Sequence, residues 1–525
     1  MKMLGIVGSG STTTRAPVIV WDAVEMFAKE EQFVLIDDVG RGFKYLGVLR
    51  NARRYEPFLS AYRRTSYVDD PSLTDVGTLP YTAVYASIIG VIEGGRVRKP
   101  QLPPNPGSKV YVVESSKDLT LDLGEGLVIG KHSYSGIEVP LNPKWLPYHV
   151  AIVGATGSGK SCLVRALIDE ILRKTDYRVI VFDHTGMDYV RHYPKDYVIN
   201  ASRISLDAAT VADMILDRTG LYRNTYDPYI SLAVLYYAWS KSSSKEENRE
   251  AEEAGGEEQA PVKPVARRKS WLRQPRYSYG AIADNSVLEV NRLLENLDKI
   301  DLSSVTDVEW SRAEFKKALD SVIEYLASRG KESVKIRSFT AVDLKLGDSF
   351  FNSLSNRNVR PYEVIEKCRE SKLAVVDLST EDIAVRRHVI ATVLDELWKA
   401  VEKEKKPINT IVIIDEAHNY ACRFCGASRN AVARVAREGR KWGLGLVLVS
   451  QRAMDLDPEV RGNINTWIFS KLQTPTDFNE LSGYMNLAGI SEDALALLER
   501  REFYVAGLMN PLKIPVLIKV RDVGG

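Results

Sequence analysis

The stretch His149–Lys174, HVAIVGATGSGKSCLVRALIDEILRK, limits the possible folds of this chain more than any other. An apolar run rich in β-branched residues leads directly into a glycine-rich turn, and the turn opens a helical repeat. This is a strand–loop–helix unit of the kind that builds a parallel sheet. Within it, GATGSGKS at Gly154–Ser161 fills the pattern G-x-x-x-x-G-K-[ST]. Glycine lets the backbone fold tightly enough for N–H groups to surround phosphates, and the helix N-terminus adds donors and a favourable dipole. Gly154, Ala155, Thr156, Gly157, Ser158, Gly159, Lys160, Ser161 and Cys162 are the nucleotide-binding residues this pattern implies. Lys160 brings a positive charge to the β and γ phosphates and Ser161 a hydroxyl ligand for Mg²⁺, so the ligand expected is ATP with Mg²⁺.

A second segment, TIVIIDEAH, ends a buried-type strand in two carboxylates, Asp415 and Glu416. Ligands of open α/β sheets sit at the carboxyl ends of strands, so the pair belongs beside the phosphate loop. Asp415 is the expected metal ligand and Glu416 the group that orients and polarises the attacking water. A third strand, LGLVLVS, runs into Gln451, either a γ-phosphate sensor or an amide bonded within its own turn. Upstream, ARVAREGRKWG carries Arg434, Arg437, Arg440 and Lys441. Such a run is either a solvated face or a source of an arginine that stabilises the transferring phosphoryl group. Asp183 and Asp188 in FDHTGMDY follow another apolar strand, as metal-site helpers or as turn caps.

At 525 residues the chain exceeds one ordinary core. Residues 1–140 read as short β-runs between turn residues (MLGIVG, APVIVWDAV, QFVLIDD, AVYASIIGVIE, KVYVVE), a small barrel or sandwich. In that region GSGSTTT lacks the lysine of a phosphate loop and reads as a hairpin loop. Residues 141–525 alternate apolar strands with amphipathic segments: HVAIVG, RVIVFD, LAVVDLS, TIVIIDE, LGLVLVS and TWIFSKL. About 190 residues separate the second from the third, which calls for a helical insertion at about 205–345, including VLEVNRLLENLDKI and FKKALDSVIEYLASRG. Within it, 241–269 is polar, charged and poor in large apolar side chains, and is expected to be disordered. The fold class expected is therefore α/β: a mainly parallel sheet with a helical insertion, behind an N-terminal β domain.

The chain has 71 Lys plus Arg against 69 Asp plus Glu, so net charge neither favours nor excludes a polyanionic partner. No apolar run approaches the ~18 residues of a membrane span, and the N-terminus lacks a secretory layout, so a soluble, cytoplasmic protein without a membrane partner is expected. Four cysteines do not make a disulfide framework in a chain this long. Cys422 and Cys425 form a C-x-x-C beside His418, one ligand short of structural zinc, with redox or disulfide roles as alternatives.

In their order, HVAIVGATGSGKS, FDHTGMDY, IVIIDEAHNY and REGRKWGLGLVLVSQR resemble the HerA family of DNA translocases, within the larger group that includes FtsK and conjugation ATPases. PGSKVYVV near the end of a β-rich N-terminal domain fits the family's barrel. The resemblance implies a RecA-like P-loop ATPase core and a HAS-barrel-like N-terminal domain. It also implies a homo-hexamer that moves double-stranded DNA in end resection and repair with a NurA-type nuclease. It assigns catalysis to Glu416, Lys160, Gln451 and Arg440, and Mg²⁺ to Ser161 and Asp415. Asn463–Asp477 and the helical insertion are where DNA-gripping loops would lie. Two positions depart from the family: Met187 and Asp188 where a single Glu is usual, and Tyr148 where a basic residue often stands. The alternatives are a conjugation or secretion ATPase moving single-stranded DNA or protein, and an ATP-gated scaffold that recruits a nuclease.

Overall fold

The computed structural model describes residues 1–55, 81–119, 121–221, 230–238, 240–241, 308–328 and 342–523. The segment 241–269, apart from Lys241, and the helical run VLEVNRLLENLDKI lie outside the described residues. The chain divides into two compact units. One comprises Met1–Tyr197, Cys368–Val375 and Trp398–Gly525, the other Val198–Lys367 and Val376–Leu397.

The first unit begins with seven strands: β1 (Lys2–Val7), β2 (Arg15–Val20), β3 (Phe33–Asp38), β4 (Phe43–Tyr55), β5 (Tyr81–Glu93), β6 (Arg96–Arg98) and β7 (Lys109–Val112). They pair in the order β2-β1-β7-β3-β4-β5-β6, and β2 also pairs with β5. Six strands thus close into an antiparallel barrel, which removes the exposed edges an open sheet would present. Alternate residues fill the interior: Val18 and Val20, Val34 and Ile36, Val84, Ala86 and Ile88, Val110 and Val112 are all buried. A Cβ on Gly5 would stand 1.9 Å from the Ile19 carbonyl oxygen, so β1 and β2 pack this closely only with glycine there.

The barrel settles the choice between barrel and sandwich, and the loop at 8–14 joins β1 and β2 as a hairpin. Two readings need correction. WDAV does not extend β2, because Asp22–Phe27 turns into a 3₁₀ helix with Asp22 and Glu25 in its first turn. The long β4, FKYLGVLRNARRY, was not anticipated, since its charged second half leaves only the short apolar run YLGVL as a strand signal.

The second sheet of this unit contains β8 (Gly130–His132), β9 (Val150–Val153), β10 (Arg178–Asp183), β13 (Thr410–Ile414), β14 (Leu444–Ser450), β15 (Thr466–Phe469), β16 (Glu502–Gly507) and β17 (Val516–Val520). From β10 onward its order is β10-β13-β14-β9-β15-β16-β17-β8. From β10 to β15 the pairing is parallel, with buried residues throughout β9, β13, β14 and β15. Residues buried on both faces match the apolar runs read in the sequence. Beyond β15 the pairing is antiparallel, an edge that the sequence reading lacked. Helix α1 (Lys160–Lys174) follows β9 and buries Leu163, Leu167, Ile168 and Ile171. Strand β12 (Leu373–Asp377) crosses from the first unit into the second.

The described residues of the second unit open with β11 (Val198–Asn200) and are otherwise mainly helical, with helices at Ala208–Thr219, Arg312–Ser328 and Val342–Ser355. Tyr237, Trp310, Phe315 and Phe351 form an aromatic cluster, and Arg312 bonds Asp343 at 2.9 Å. No helix among the described residues is long and apolar enough to cross a membrane.

Two buried histidines of the first unit are held neutral. His132 Nε2 bonds the Glu31 carbonyl at 2.9 Å while its Nδ1 accepts from Ser135 N at 3.1 Å. His149 Nε2 bonds the Ala436 carbonyl at 3.0 Å and its Nδ1 accepts from Leu446 N at 3.1 Å. Burial pulls both pKa values down to about 4. Between about pH 6.5 and 4 the unfolded chain therefore binds protons that the folded chain refuses. The stability these rings contribute is complete above pH 6.5 and lost as the pH falls towards 4. Urea midpoints measured from pH 7.5 to 4 are expected to drop across that window, with a shallower slope in the double variant His132→Gln/His149→Gln.

Candidate functional site

Parallel register brings the carboxyl ends of three neighbouring strands to one edge. Ile414 pairs with Leu448 across β13 and β14, and Ser450 with Val153 across β14 and β9. The residues that leave these strands next are Asp415, Gln451 and Gly154, so the three segments picked out in the sequence meet here.

The loop after β9 is pinned at several points: Ala155 N donates to Lys471 O at 2.7 Å, Ser158 N to Ala155 O at 3.2 Å, and Arg501 N to Ser158 O at 2.8 Å. Thr156 and Gly157 are exposed, while Gly154 and Ser158 are buried. Gly159, at φ +101°, caps α1 in a left-handed conformation that a side chain disfavours. Leu163 N makes the first in-helix bond, to Gly159 O at 3.0 Å. The amides of Lys160, Ser161 and Cys162 therefore belong to the first turn, whose donors have no partner within the helix. The Cys162 side chain is buried, with its Sγ against the Arg521 carbonyl at 3.4 Å, which leaves only its amide to meet a phosphate. Lys160 Nζ donates to Gly154 O at 2.7 Å and Ala155 O at 3.2 Å. Burial lowers its pKa, and Glu416, Asp415 and Asp188 pull it back up.

Asp415 is buried, and its pKa stands well above the ordinary range because burial and then Glu416, Asp188 and Asp183 all oppose its ionisation. Oxygens of Asp183, Asp188 and Asp415 lie within 4.8 Å of one another. Glu416 adopts φ 45° and ψ 48°, unusual for a residue with a side chain, and this turns the chain sharply after β13. Gln451 Nε2 reaches its carboxylate at 3.4 Å, and His418 Nδ1 lies 3.3 Å from Glu416 Oε2. Gln473 Nε2 in turn bonds Gln451 Oε1 at 3.4 Å.

Asp183 is a turn brace. Its Oδ1 accepts from Gly186 N at 3.0 Å and Thr185 N at 3.2 Å, its Oδ2 from Tyr189 N at 2.9 Å and Val190 N at 3.0 Å. Asp188 is half-buried and accepts from the Thr185 hydroxyl at 3.0 Å.

Arg440 is not gathered with these groups. It stands exposed in the turn Gly439–Trp442 that precedes β14, whereas Gln451 follows that strand, and its guanidinium lies 5.7 Å from the Tyr148 ring. A seven-residue strand is roughly 20 Å long, so Arg440 lies at the opposite edge of the sheet from the phosphate loop of its own chain. Arg434 lies over Trp398, and Arg437 pairs with Glu459. Cys422 and Cys425 are joined as a disulfide, so neither thiolate is available to a metal. Asn463–Asp477 is not one loop, because the buried β15 occupies its middle and Lys471 and Gln473 touch the site. Arg501 lay outside every segment singled out in the sequence, while Gln473 and the buried Tyr189, whose pKa burial and the nearby carboxylates raise, fell inside such segments without being named.

The family model described as "Helicase HerA, central domain" matches residues 127–397, just over half of the chain. The chain belongs to the HerA helicase family. It is accordingly an ATPase of the helicase class, with a P-loop core and an N-terminal barrel. The "DNA double-strand break repair helicase HerA" of Sulfurisphaera tokodaii is 25% identical over 445 residues, covering 82% of this chain and 76% of that one. The protein of the same name from Sulfolobus acidocaldarius is 25% identical over 496 residues, covering 92% and 87%. Among solved structures, VirB4 of Thermoanaerobacter pseudethanolicus aligns at a TM-score of 0.42 and 16% identity, over 76% of this chain and 97% of that one. The HerA match includes the phosphate loop and Asp183–Tyr189 and ends before Asp415, Glu416 and Gln451.

Because the buried Asp183 carboxylate satisfies four backbone amides of a partly buried turn, Asp183→Ala would remove the partner of all four. It is expected to lower unfolding free energy by about 2–4 kcal/mol, measured by urea denaturation without nucleotide. An unchanged midpoint would show that the turn holds without its brace.

Proposed function

We propose that this HerA-family ATPase is a hexameric translocase of double-stranded DNA that acts in end resection and repair with a NurA-type nuclease. The observation that carries the reading is the meeting of Lys160, Asp415, Glu416 and Gln451 at one edge of the sheet in a chain of this family. The repair role is supported by relatives named as double-strand break repair helicases. Residues 1–140 contain the barrel domain in this reading, with β8 already part of the second sheet, 141–525 are the motor, and about 205–345 its helical insertion.

ATP binds with its phosphates against the amides of residues 154–162. Lys160 exchanges the Gly154 and Ala155 carbonyls for the β and γ phosphates, a stronger anionic partner. The donors offered to a metal are all oxygen, from the Ser161 hydroxyl and the Asp415 carboxylate, with Asp183 and Asp188 close by. Such a set fits Mg²⁺, and a divalent charge relieves the repulsion that raises the Asp415 pKa. When bound, Mg²⁺ offsets negative charge on the phosphates. Glu416, steadied by Gln451 and His418, takes the proton of the attacking water. Arg440, at the far edge of its own sheet, would serve a neighbouring subunit's nucleotide.

Steady-state hydrolysis by the purified protein, with and without linear duplex, tests the proposal. Duplex is expected to stimulate turnover more than single strands do, with Lys160→Ala inactive. Glu416→Gln is expected to retain ATP while losing turnover by about 100-fold or more. Turnover indifferent to every DNA would sink the duplex motor, and nuclease recruitment that survives Glu416→Gln undiminished would favour an ATP-gated scaffold.

A further inference from the structure

The geometry points to Arg501 as a further nucleotide-binding residue, with Asp522 as a counter-ion that competes with the nucleotide for its guanidinium. This rests on the phosphate-loop reading above and adds to it a contact outside every motif of the sequence.

Arg501 lies between the helix Glu492–Ala496 and β16, far from the loop in sequence. Its backbone is nevertheless built into the phosphate loop, since its N–H donates to Ser158 O at 2.8 Å. Its carbonyl is held as well, by Val520 N at 2.9 Å. With both groups bound, Arg501 keeps φ +71°, a left-handed conformation that disfavours a side chain. Its stem crosses Gly159, where a Cβ would come within 3.1 Å of Arg501 Cγ. Gly159 opens α1, so the stem lies against the helix N-terminus that receives phosphate.

The guanidinium ends on Asp522, with Nη1 2.8 Å from Oδ2. The Asp522 side chain is 76% exposed and that of Arg501 29% exposed. An ion pair so open to water is weak and readily exchanged. A nucleotide phosphate or diphosphate carries more charge and matches the planar fork of a guanidinium. The segment carrying Asp522 is itself tied to α1, through Cys162 Sγ to the Arg521 carbonyl at 3.4 Å and Arg521 to Glu170 at 3.1 Å. Asp522 is therefore held where it can compete for Arg501 without occupying the phosphate cradle.

The experiment is titration of each full-length variant with a fluorescent methylanthraniloyl-ADP, which binds without turnover. Lys160→Ala tests the phosphate-loop reading itself, and wild-type affinity in that variant would remove the basis for both proposals. With Lys160→Ala weakened, Arg501→Ala is expected to bind about 10-fold more weakly and Arg501→Lys to recover part of the loss. Asp522→Asn is expected to act in the opposite direction, tightening binding about threefold, and to do nothing in the Arg501→Ala background. A merely structural brace gives a different pattern, because loss of either partner then weakens binding. Affinity within twofold of wild type in Arg501→Ala, or weaker binding in Asp522→Asn, would overturn the inference.

Discussion

In-register parallel pairing of β13, β14 and β9 is the constraint from which the site follows. A parallel ladder holds neighbouring strands in step, so three segments far apart in the chain end at one edge. The strand bodies are buried on both faces and must be apolar, while the first residues beyond them escape that requirement. Polar chemistry can therefore collect only at the exits, where Gly154, Asp415, Glu416 and Gln451 stand. Leaving the sheet abruptly strains the backbone. The chain meets this with glycine at Gly157 and Gly159 and with a left-handed Glu416 where a carboxylate is required.

Crowding carboxylates at that edge creates an electrostatic imbalance. Asp183 is stabilised by four amides of its own turn, but Asp415 has buried surroundings and acidic neighbours that resist its charge. Lys160 is a cation drawn into this field, and burial, which raises the Asp415 pKa, lowers that of Lys160. A site of this kind is preorganised for a cation and a polyphosphate together, since each relieves the charge that the other leaves uncompensated.

The parts of this design that obey local rules were open to reading from the sequence. The six core strands stand out as apolar runs, and two of those runs lead into GATGSGKS and Asp415-Glu416, whereas spacing alone left Gln451 between a phosphate sensor and a turn-bonded amide. Features that depend on tertiary placement were not open in this way. Arg440 sits in a basic run that spacing alone cannot assign to one edge of the sheet or the other. The antiparallel strands β16 and β17 lack a motif, although the short apolar runs in REFYVAG and IPVLIKV suit buried strands. Arg501 reaches the phosphate loop only because β16 begins beside it, and Gln473 approaches Gln451 because β15 lies next to β9. Two cysteines three residues apart fit a metal, a redox pair or a disulfide equally, and only the fold joins them.

The barrel is joined to the ATPase sheet by a charge rather than by apolar contact alone. Arg50 of β4 is almost fully buried and pairs with Glu31 at 2.7 Å. Its remaining donors go to the carbonyls of Ala488 at 2.9 Å, Leu487 at 3.3 Å and Pro515 at 2.6 Å, beyond the barrel. A buried guanidinium is tolerated only when its donors are satisfied, and here the satisfaction is divided between two parts of the chain. Separating the two parts would leave Arg50 its Glu31 partner but strip it of three carbonyl acceptors. His132 repeats the arrangement from the other side, stacking on Phe33 and bonding the Glu31 carbonyl. Polar groups that would weaken either core alone thus fix how the barrel sits on the strands that flank the phosphate loop. The loops they hold, 487–488 and 515, stand on either side of Arg501 and β16 in sequence. Arg50 thereby holds the chain on both sides of β16 against the barrel.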